Sequence, residues 1–85
     1  MAKVLMYTTR VCPYCQMAQK LLETKGVTID KIAVDEMPER RREMTQRAGG
    51  ATTVPQIFID EYHVGGYREL AQLEVKGELD RLLAQ

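Results

Sequence analysis

The stretch Val4-Leu5-Met6-Tyr7-Thr8-Thr9-Arg10-Val11-Cys12-Pro13-Tyr14-Cys15 decides the fold of this chain. It opens with a short apolar run that is typical of a buried β-strand and ends with two cysteines three positions apart. A proline directly after Cys12 suits the first turn of a helix, where its missing N–H group is not needed. The stretch therefore predicts a strand, a short loop and a helix that begins at the cysteine pair.

Cys12 and Cys15 are the only cysteines of the chain. At a helix N-terminus, the helix dipole and the unpaired N–H groups of the first turn stabilise an anion. A thiolate held there is a nucleophile at neutral pH, and the second thiol, one turn further along, can form or break a disulfide with it. The pattern predicts a redox-active pair. The alternatives are a buried structural pair and a metal clip, and zinc is disfavoured because it prefers four ligands, whereas the chain adds only His63.

Size and composition narrow the classes of function. The 85 residues predict a single domain over 1–85, and the net charge is zero, with twelve acidic and twelve basic residues. This balance gives no reason to expect nucleic acid or an acidic surface as a partner. No apolar run approaches the roughly 20 residues that span a bilayer, and the N-terminus lacks the pattern of a signal peptide. We therefore expect a cytoplasmic protein without a membrane partner, in which two cysteines do not form a structural disulfide scaffold.

The remaining sequence predicts alternating strands and helices. A strand over Lys3 to Thr8 is followed by a helix whose apolar stripe is Met17, Ala18, Leu21 and Leu22, closed by Gly26. A second strand, Val27 to Val34, completes a strand–helix–strand unit, which implies a parallel pair with a right-handed crossover. A second helix, from Asp35-Glu36-Met37-Pro38 to Gly49-Gly50, has a thin apolar stripe and should cover one sheet face lightly.

The second half of the chain predicts a hairpin and a last helix. Gln56 to Ile59 is the strongest strand signal, and Tyr62 to Val64 pairs back after the turn at Asp60-Glu61. A last helix follows Gly65-Gly66, with an interruption at Gly77. The fold class is α/β, with one mixed four-stranded sheet flanked by helices in the order β-α-β-α-β-β-α.

This order, with Cys-x-x-Cys opening the first helix, resembles the thioredoxin fold, and the chain closely resembles the short bacterial dithiol glutaredoxins. The resemblance runs nearly end to end. It rests on Tyr7-Thr8, Cys12-Pro13-Tyr14-Cys15, Lys25-Gly26-Val27, Thr53-Val54-Pro55-Gln56-Ile57-Phe58-Ile59 and Gly65-Gly66. It implies a glutathione-dependent thiol–disulfide oxidoreductase that reduces protein disulfides and glutathione mixed disulfides, with Cys12 as the nucleophile and Cys15 as the resolving thiol.

The resemblance also implies a binding site for glutathione and substrate. Its residues are Tyr14, Thr53, Val54, Pro55 and Gly66, with Pro55 preceded by a cis peptide bond. Tyr67 and Arg68, which follow Gly66, are added as candidates of this chain's own. Glutathione would be the reducing co-substrate, with no tightly bound cofactor and no metal. The expected partners are glutathione and proteins that carry a disulfide or a bound glutathione, and the expected state is a monomer. Tyr7 is expected in the core, and His63 is given no catalytic role.

The chain departs from the pattern of the family at three places in the region that would recognise glutathione. Thr9 replaces a common lysine, Ala51 replaces a frequent basic residue, and Tyr67-Arg68 stands where cysteine or serine is followed by aspartate. Arg68 could instead bind a carboxylate of glutathione, since guanidinium groups pair bidentately with carboxylates. The alternative functions are a redoxin reduced by thioredoxin reductase, a dimeric carrier of an iron–sulfur cluster ligated by glutathione, and a redox-regulated binding module without turnover.

Overall fold

The four strands form one mixed sheet. The computed structural model describes residues 2–84, with β1 at Val4–Thr8, β2 at Ile29–Ala33, β3 at Gln56–Ile59 and β4 at Tyr62–Gly65. The strand order is β2-β1-β3-β4. The β1–β2 pair is parallel, as the strand–helix–strand unit predicts, and the β1–β3 and β3–β4 pairs are antiparallel. The predicted mixed four-stranded sheet is confirmed.

Helices cover both faces of the sheet. They are α1 at Pro13–Glu23, α2 at Pro38–Arg47, α3 at Tyr67–Val75 and α4 at Leu79–Leu83. The predicted interruption at Gly77 is confirmed, because it separates α3 from α4 and has a φ of 75°. This left-handed conformation is one that glycine adopts without a steric penalty.

Side-chain alternation along the strands divides the core into two halves. On one face, Met6 and Ile57 pack with Leu22 of α1 and Leu70 of α3. On the other face, Tyr7 and Phe58 pack with Met44 and Ala48. Met44 is the one buried residue of α2, so the predicted thin apolar stripe of this helix is confirmed.

The expected apolar stripe of α1 is wrong at one position. Its buried residues are Cys15, Ala18 and Leu22, which follow the spacing of three and four that defines one helix face. Met17 is 44% exposed, because it is rotated about 100° from Ala18 around the helix axis. The exposed Met17 does not fill the core.

A polar cluster fastens α2 to β1, the strand that leads to the cysteines. The Tyr7 hydroxyl donates to Glu43 Oε2 at 2.5 Å and accepts from Arg47 Nη1 at 3.0 Å. Burial, and then the hydrogen bond to Glu43, raises the pKa of Tyr7. The same hydrogen bond lowers the pKa of Glu43. The Tyr7 ring is fully buried, as predicted, and its polar tip links the two elements.

Within residues 2–84, no helix has both the length and the apolar character needed to cross a bilayer.

Candidate redox site and substrate groove

The cysteine pair lies at the start of α1, where the sequence places it. Cys12 is the N-cap residue, with an extended backbone (φ −151°, ψ 99°), and its Sγ accepts a hydrogen bond from the Cys15 N–H at 3.2 Å. The two cysteines form a disulfide, with their Cα atoms 5.2 Å apart. Cys12 is 8% exposed and Cys15 is 3% exposed. Cys12 is thus the slightly more exposed residue of the two, and its sulfur is already contacted by a helix N–H group.

The loop before β3 brings a backbone carbonyl to the cysteine pair. Cys12 Sγ lies 4.0 Å from the carbonyl oxygen of Val54. The Val54–Pro55 peptide bond is cis, which confirms the expectation drawn from the family resemblance. Pro55 is buried, whereas Thr53 is exposed and Val54 is half-buried. The edge of this loop therefore faces solvent directly beside the sulfur of Cys12.

A cavity of about 580 Å³, called here the main groove, runs from this loop to the start of α3. All seven residues predicted to bind glutathione or substrate line it: Tyr14, Thr53, Val54, Pro55, Gly66, Tyr67 and Arg68. They come from α1, the loop before β3, and the segment that opens α3. The tertiary structure therefore brings together residues that are up to 54 positions apart in the sequence, as between Tyr14 and Arg68.

The residues that depart from the family pattern line two different cavities next to the cysteines. Ala51 lines the main groove. Thr9 and Arg10 instead line a smaller cavity of about 310 Å³ that both cysteines and Lys31 share. The Arg10 guanidinium is exposed, with its Nε 3.7 Å from a carboxylate oxygen of Glu36. Arg10 therefore does not supply the main groove with the cation missing at Thr9.

The start of α3 carries a carboxylate that the sequence analysis did not assign to the site. Glu69 Oε1 accepts the Gly66 N–H at 2.8 Å, and Glu69 lines the main groove. Gly65 is required here, because its φ is 111° and an added Cβ would lie 3.0 Å from Glu69 Oε1. Across the groove mouth, the rings of Tyr14 and Tyr67 are stacked, with centroids 6.3 Å apart.

Gln56 and His63 form a second feature that the sequence analysis missed. Gln56 is only 4% exposed, and its Nε2 donates to the Thr53 carbonyl oxygen at 3.1 Å. Its Oε1 lies 2.7 Å from His63 Nε2. Since the amide nitrogen faces Thr53, the hydrogen-bond network assigns the proton of this bond to His63 Nε2. The pair therefore holds the Thr53 end of the loop.

The His63 ring belongs to a stack of three side chains. Its ring lies on that of Phe58, with centroids 4.8 Å apart, and the Arg47 guanidinium lies 4.5 Å from the centroid of Phe58. The register of the hairpin, which pairs Phe58 with His63, is the signal that could have revealed this arrangement. His63 thus has a contact in the site, although no role for it was expected.

The question of metal ligands can be asked of the part of the chain that the structure describes. No three residues among its histidines, cysteines, aspartates and glutamates form a group that could hold a metal ion.

These features define a class of protein. A cysteine pair at the N-terminus of the first helix, next to a cis-proline loop on a mixed four-stranded sheet, is the site of a thiol–disulfide oxidoreductase with the thioredoxin fold.

Comparisons with known proteins give the family. The glutaredoxin family model matches residues 4–64. A glutaredoxin from Pseudomonas aeruginosa is 52% identical over 84 residues, with 99% of each chain covered. Glutaredoxin 3 from Escherichia coli K12 is 48% identical over 83 residues, with 98% of this chain and 99% of that protein covered. The solved structure of a glutaredoxin from Brucella melitensis has a TM-score of 0.84 at 47% identity, with 98% of this chain and 89% of that one covered.

The chain therefore belongs to the glutaredoxin family, and it is a glutathione-dependent thiol–disulfide oxidoreductase. The fold and function implied by the resemblance are confirmed.

Proposed function

We propose that Cys12 is the attacking thiol and Cys15 the resolving thiol. Two observations support this assignment: Cys12 is the more exposed of the two, and its sulfur accepts the Cys15 N–H at the start of α1. A thiolate at this position gains both from that hydrogen bond and from the helix dipole. Cys15 lies one turn inward, close enough to form the disulfide with Cys12, and it is the less exposed of the two residues.

The exchange then proceeds by ordinary thiol–disulfide chemistry. The Cys12 thiolate attacks one sulfur of a protein disulfide, forms a mixed disulfide and releases the other sulfur as a thiolate. The Cys15 thiolate next attacks the Cys12 sulfur, which releases the second protein thiolate and leaves the Cys12–Cys15 disulfide. One glutathione thiolate attacks Cys12 and frees Cys15, and a second attacks the bound glutathione sulfur. This last step regenerates the Cys12 thiolate and yields oxidised glutathione. With a glutathione mixed disulfide as the substrate, Cys15 is not needed.

The main groove is proposed to bind the glutathione moiety. The exposed backbone beside Val54 can pair with its peptide bonds next to Cys12. Arg68 and the N-terminus of α3 can bind the γ-glutamyl carboxylate, since both favour an anion. Glu69 also lines the groove. Its carboxylate already accepts the Gly66 N–H, and it can accept a second hydrogen bond from the γ-glutamyl ammonium. Glu69 would thus supply the acid that the family pattern places one residue earlier.

The remaining assignments concern the cofactor, the location, the oligomeric state and the substrates. Glutathione is proposed as a co-substrate that comes and goes, with no tightly bound cofactor. The protein is proposed to act as a cytoplasmic monomer on disulfide-containing and glutathionylated proteins. The single observation that carries the proposal is the position of the Cys12 sulfur, between the N-terminus of α1 and the carbonyl group of Val54 on the groove wall.

The test is NADPH consumption on a small glutathione mixed disulfide, with glutathione and glutathione reductase supplied. Turnover should vanish in Cys12→Ser and persist in Cys15→Ser, whereas reduction of a protein disulfide should require both cysteines. Thioredoxin reductase serves as the alternative electron donor. Activity only with thioredoxin reductase, or turnover that survives Cys12→Ser, would contradict the proposal.

The role of Arg68 has its own test. Arg68→Ala should raise the KM for glutathione-linked substrates, because the guanidinium would no longer pair with a carboxylate in the groove. Arg42→Ala is the matched control, since Arg42 is an exposed arginine that does not line this groove. An unchanged KM in Arg68→Ala would remove this residue from the glutathione site.

A further inference from the structure

A second groove, called here the α3 groove, continues from the main groove along the outside of α3. It has a volume of about 560 Å³ and shares Tyr14, Tyr67 and Arg68 with the main groove. The rest of its wall includes Ala71, Val75 and Lys76. The spacing from residue 68 through 71 and 75 is three and four, which makes one continuous stripe of the helix. A partner that reaches Cys12 past the tyrosine pair can therefore also contact this stripe.

The chemistry of the α3 groove combines apolar and cationic groups. Val75 is 87% exposed and Tyr14 is 62% exposed, so both side chains are open to contact with a partner. Arg68 lies at the start of the stripe, and Lys76, the C-cap residue after α3, lines the groove at its other end, about 80° around the helix axis from Arg68. Neither forms an ion pair with another residue in the range 2–84. The α3 groove thus has an apolar middle and two cationic ends.

The carboxylates of α3 are engaged elsewhere. Glu69 accepts the Gly66 N–H, and Glu74 pairs with Lys25 at 2.8 Å. Neither of them lines the α3 groove. The groove therefore presents positive charge although the chain as a whole has a net charge of zero. A local patch of this kind selects a partner by its charge pattern.

The spacing of the two cations limits the shape of the partner. Arg68 and Lys76 are eight residues apart, which is about 12 Å along a helix at 1.5 Å per residue. An extended chain covers about 12 Å in roughly four residues, and its residues i, i+2 and i+4 point to the same side. A segment with acidic residues at i and i+4 and an apolar residue at i+2 matches the groove in both spacing and charge.

We propose that the α3 groove is a docking site for protein substrates that carry an extended acidic–x–apolar–x–acidic segment near the reactive cysteine. The apolar side chain would lie on Ala71 and Val75, and one carboxylate would pair with Lys76. The other would pair with those of the five N–H groups of Arg68 that the γ-glutamyl carboxylate leaves free. This inference rests on the proposed function, because the docked segment must deliver a disulfide or a bound glutathione to Cys12. It adds a preference among protein substrates, whereas glutathione itself does not need the α3 groove in order to bind.

The test uses synthetic peptides with one glutathionylated cysteine joined by a short Gly-Ser spacer to the segment Glu-Ser-Leu-Ser-Glu. One matched peptide has both Glu replaced by Gln, and another has Leu replaced by Ser. Each is made with the segment before and after the cysteine, because the groove does not fix the direction of the chain. The readout is kcat/KM in the glutathione reductase assay, alongside that of a small mixed disulfide.

The expected preference is moderate and salt-dependent. Two exposed ion pairs should favour the Glu peptide over the Gln peptide by roughly 3–10-fold at low salt, in at least one of the two directions. The preference should fall as ionic strength rises, and the Ser peptide should also react more slowly. Lys76→Glu should abolish or reverse the preference for Glu and leave turnover of the small mixed disulfide unchanged. Lys20→Glu is the matched control, because Lys20 is exposed on α1 and lies outside the α3 groove.

The outcomes separate the two proposals. Equal kcat/KM for all peptides in both directions, with normal turnover of the small substrate, would overturn the docking site alone. An equal loss of the preference for the Glu peptide in Lys20→Glu and in Lys76→Glu would also overturn the docking site, because it would indicate a general effect of net charge. Binding of the wild type to anionic lipid vesicles without any peptide preference would identify a membrane as the occupant and likewise overturn it. Failure on the small substrate would overturn the proposed function itself.

Discussion

Gln56→Leu is the substitution that most directly tests how the substrate loop is held. Gln56 is buried, and its amide joins the Thr53 carbonyl group to the His63 ring at distances of 3.1 Å and 2.7 Å. Each such hydrogen bond contributes about 0.5–1.5 kcal/mol net to stability, so the loss of both should lower the free energy of unfolding by about 1–3 kcal/mol. For a domain of this size, each kcal/mol corresponds to roughly 4–8 °C in Tm.

The same substitution should affect catalysis in a particular way. Thr53 and Val54 line the main groove, and without Gln56 the loop that carries them loses its buried anchor. We expect the KM for a glutathione mixed disulfide to rise several-fold while kcat changes less, because Gln56 forms its hydrogen bonds with Thr53 and His63 and not with the cysteine pair on α1. Unfolding is followed by circular dichroism in urea, and kinetics are measured well below the Tm.

Two matched variants separate the anchor from general effects. His63→Phe keeps a ring that can stack on Phe58 but removes the bond to Gln56, and it should give part of both changes. Gln19→Leu removes a glutamine whose hydrogen bonds are exposed, and it should alter stability by no more than about 0.5 kcal/mol. An unfolding free energy equal to that of the wild type in Gln56→Leu, or an unchanged KM despite lower stability, would refute this reasoning.

Three further substitutions test other parts of the structure. Tyr7→Phe should destabilise the fold most at neutral pH, because the hydrogen bond from the Tyr7 hydroxyl lowers the pKa of Glu43. The stabilisation from this hydrogen bond is fully present above the ordinary pKa of 4.5 and is lost as the pH falls through the lowered value. Equal destabilisation from pH 7 to pH 3 in urea titrations would contradict this. Lys25→Met should lower Tm, and the loss should be smaller in high salt, because hydrogen bonds to carboxylates of α3 and α4 raise the pKa of Lys25; a Tm loss independent of salt would exclude the ionic origin. Gly65→Ala should cost about 1–3 kcal/mol, since its φ of 111° and the contact with Glu69 both disfavour a side chain; a Tm equal to that of the wild type would be inconsistent with this backbone.

The sequence was sufficient for most of the fold because its signals are local. The apolar run before Cys12, the proline after it and the hairpin turn at Asp60-Glu61 each act over a few residues, and together they define the element order. The redox pair could also be predicted from the sequence, because Cys12 and Cys15 lie within the first turn of one helix. The cis peptide bond before Pro55 is different, since only the resemblance to a family predicted it, and the structure contains it.

Tertiary structure alone decided the features that depend on residues far apart in the chain. The burial of Gln56 and its link to His63 follow from the register of β3 and β4, which shifts between Ile57 and Phe58. The hairpin turn at Asp60-Glu61 does not predict that shift. The exposure of Met17 depends on which face of α1 meets the sheet, a choice that two adjacent apolar residues leave open. The α3 groove likewise arises because Tyr14 of α1 stacks on Tyr67 of α3, next to two cations that form no ion pair within residues 2–84. Local propensity determines each element, whereas packing determines which side chains meet.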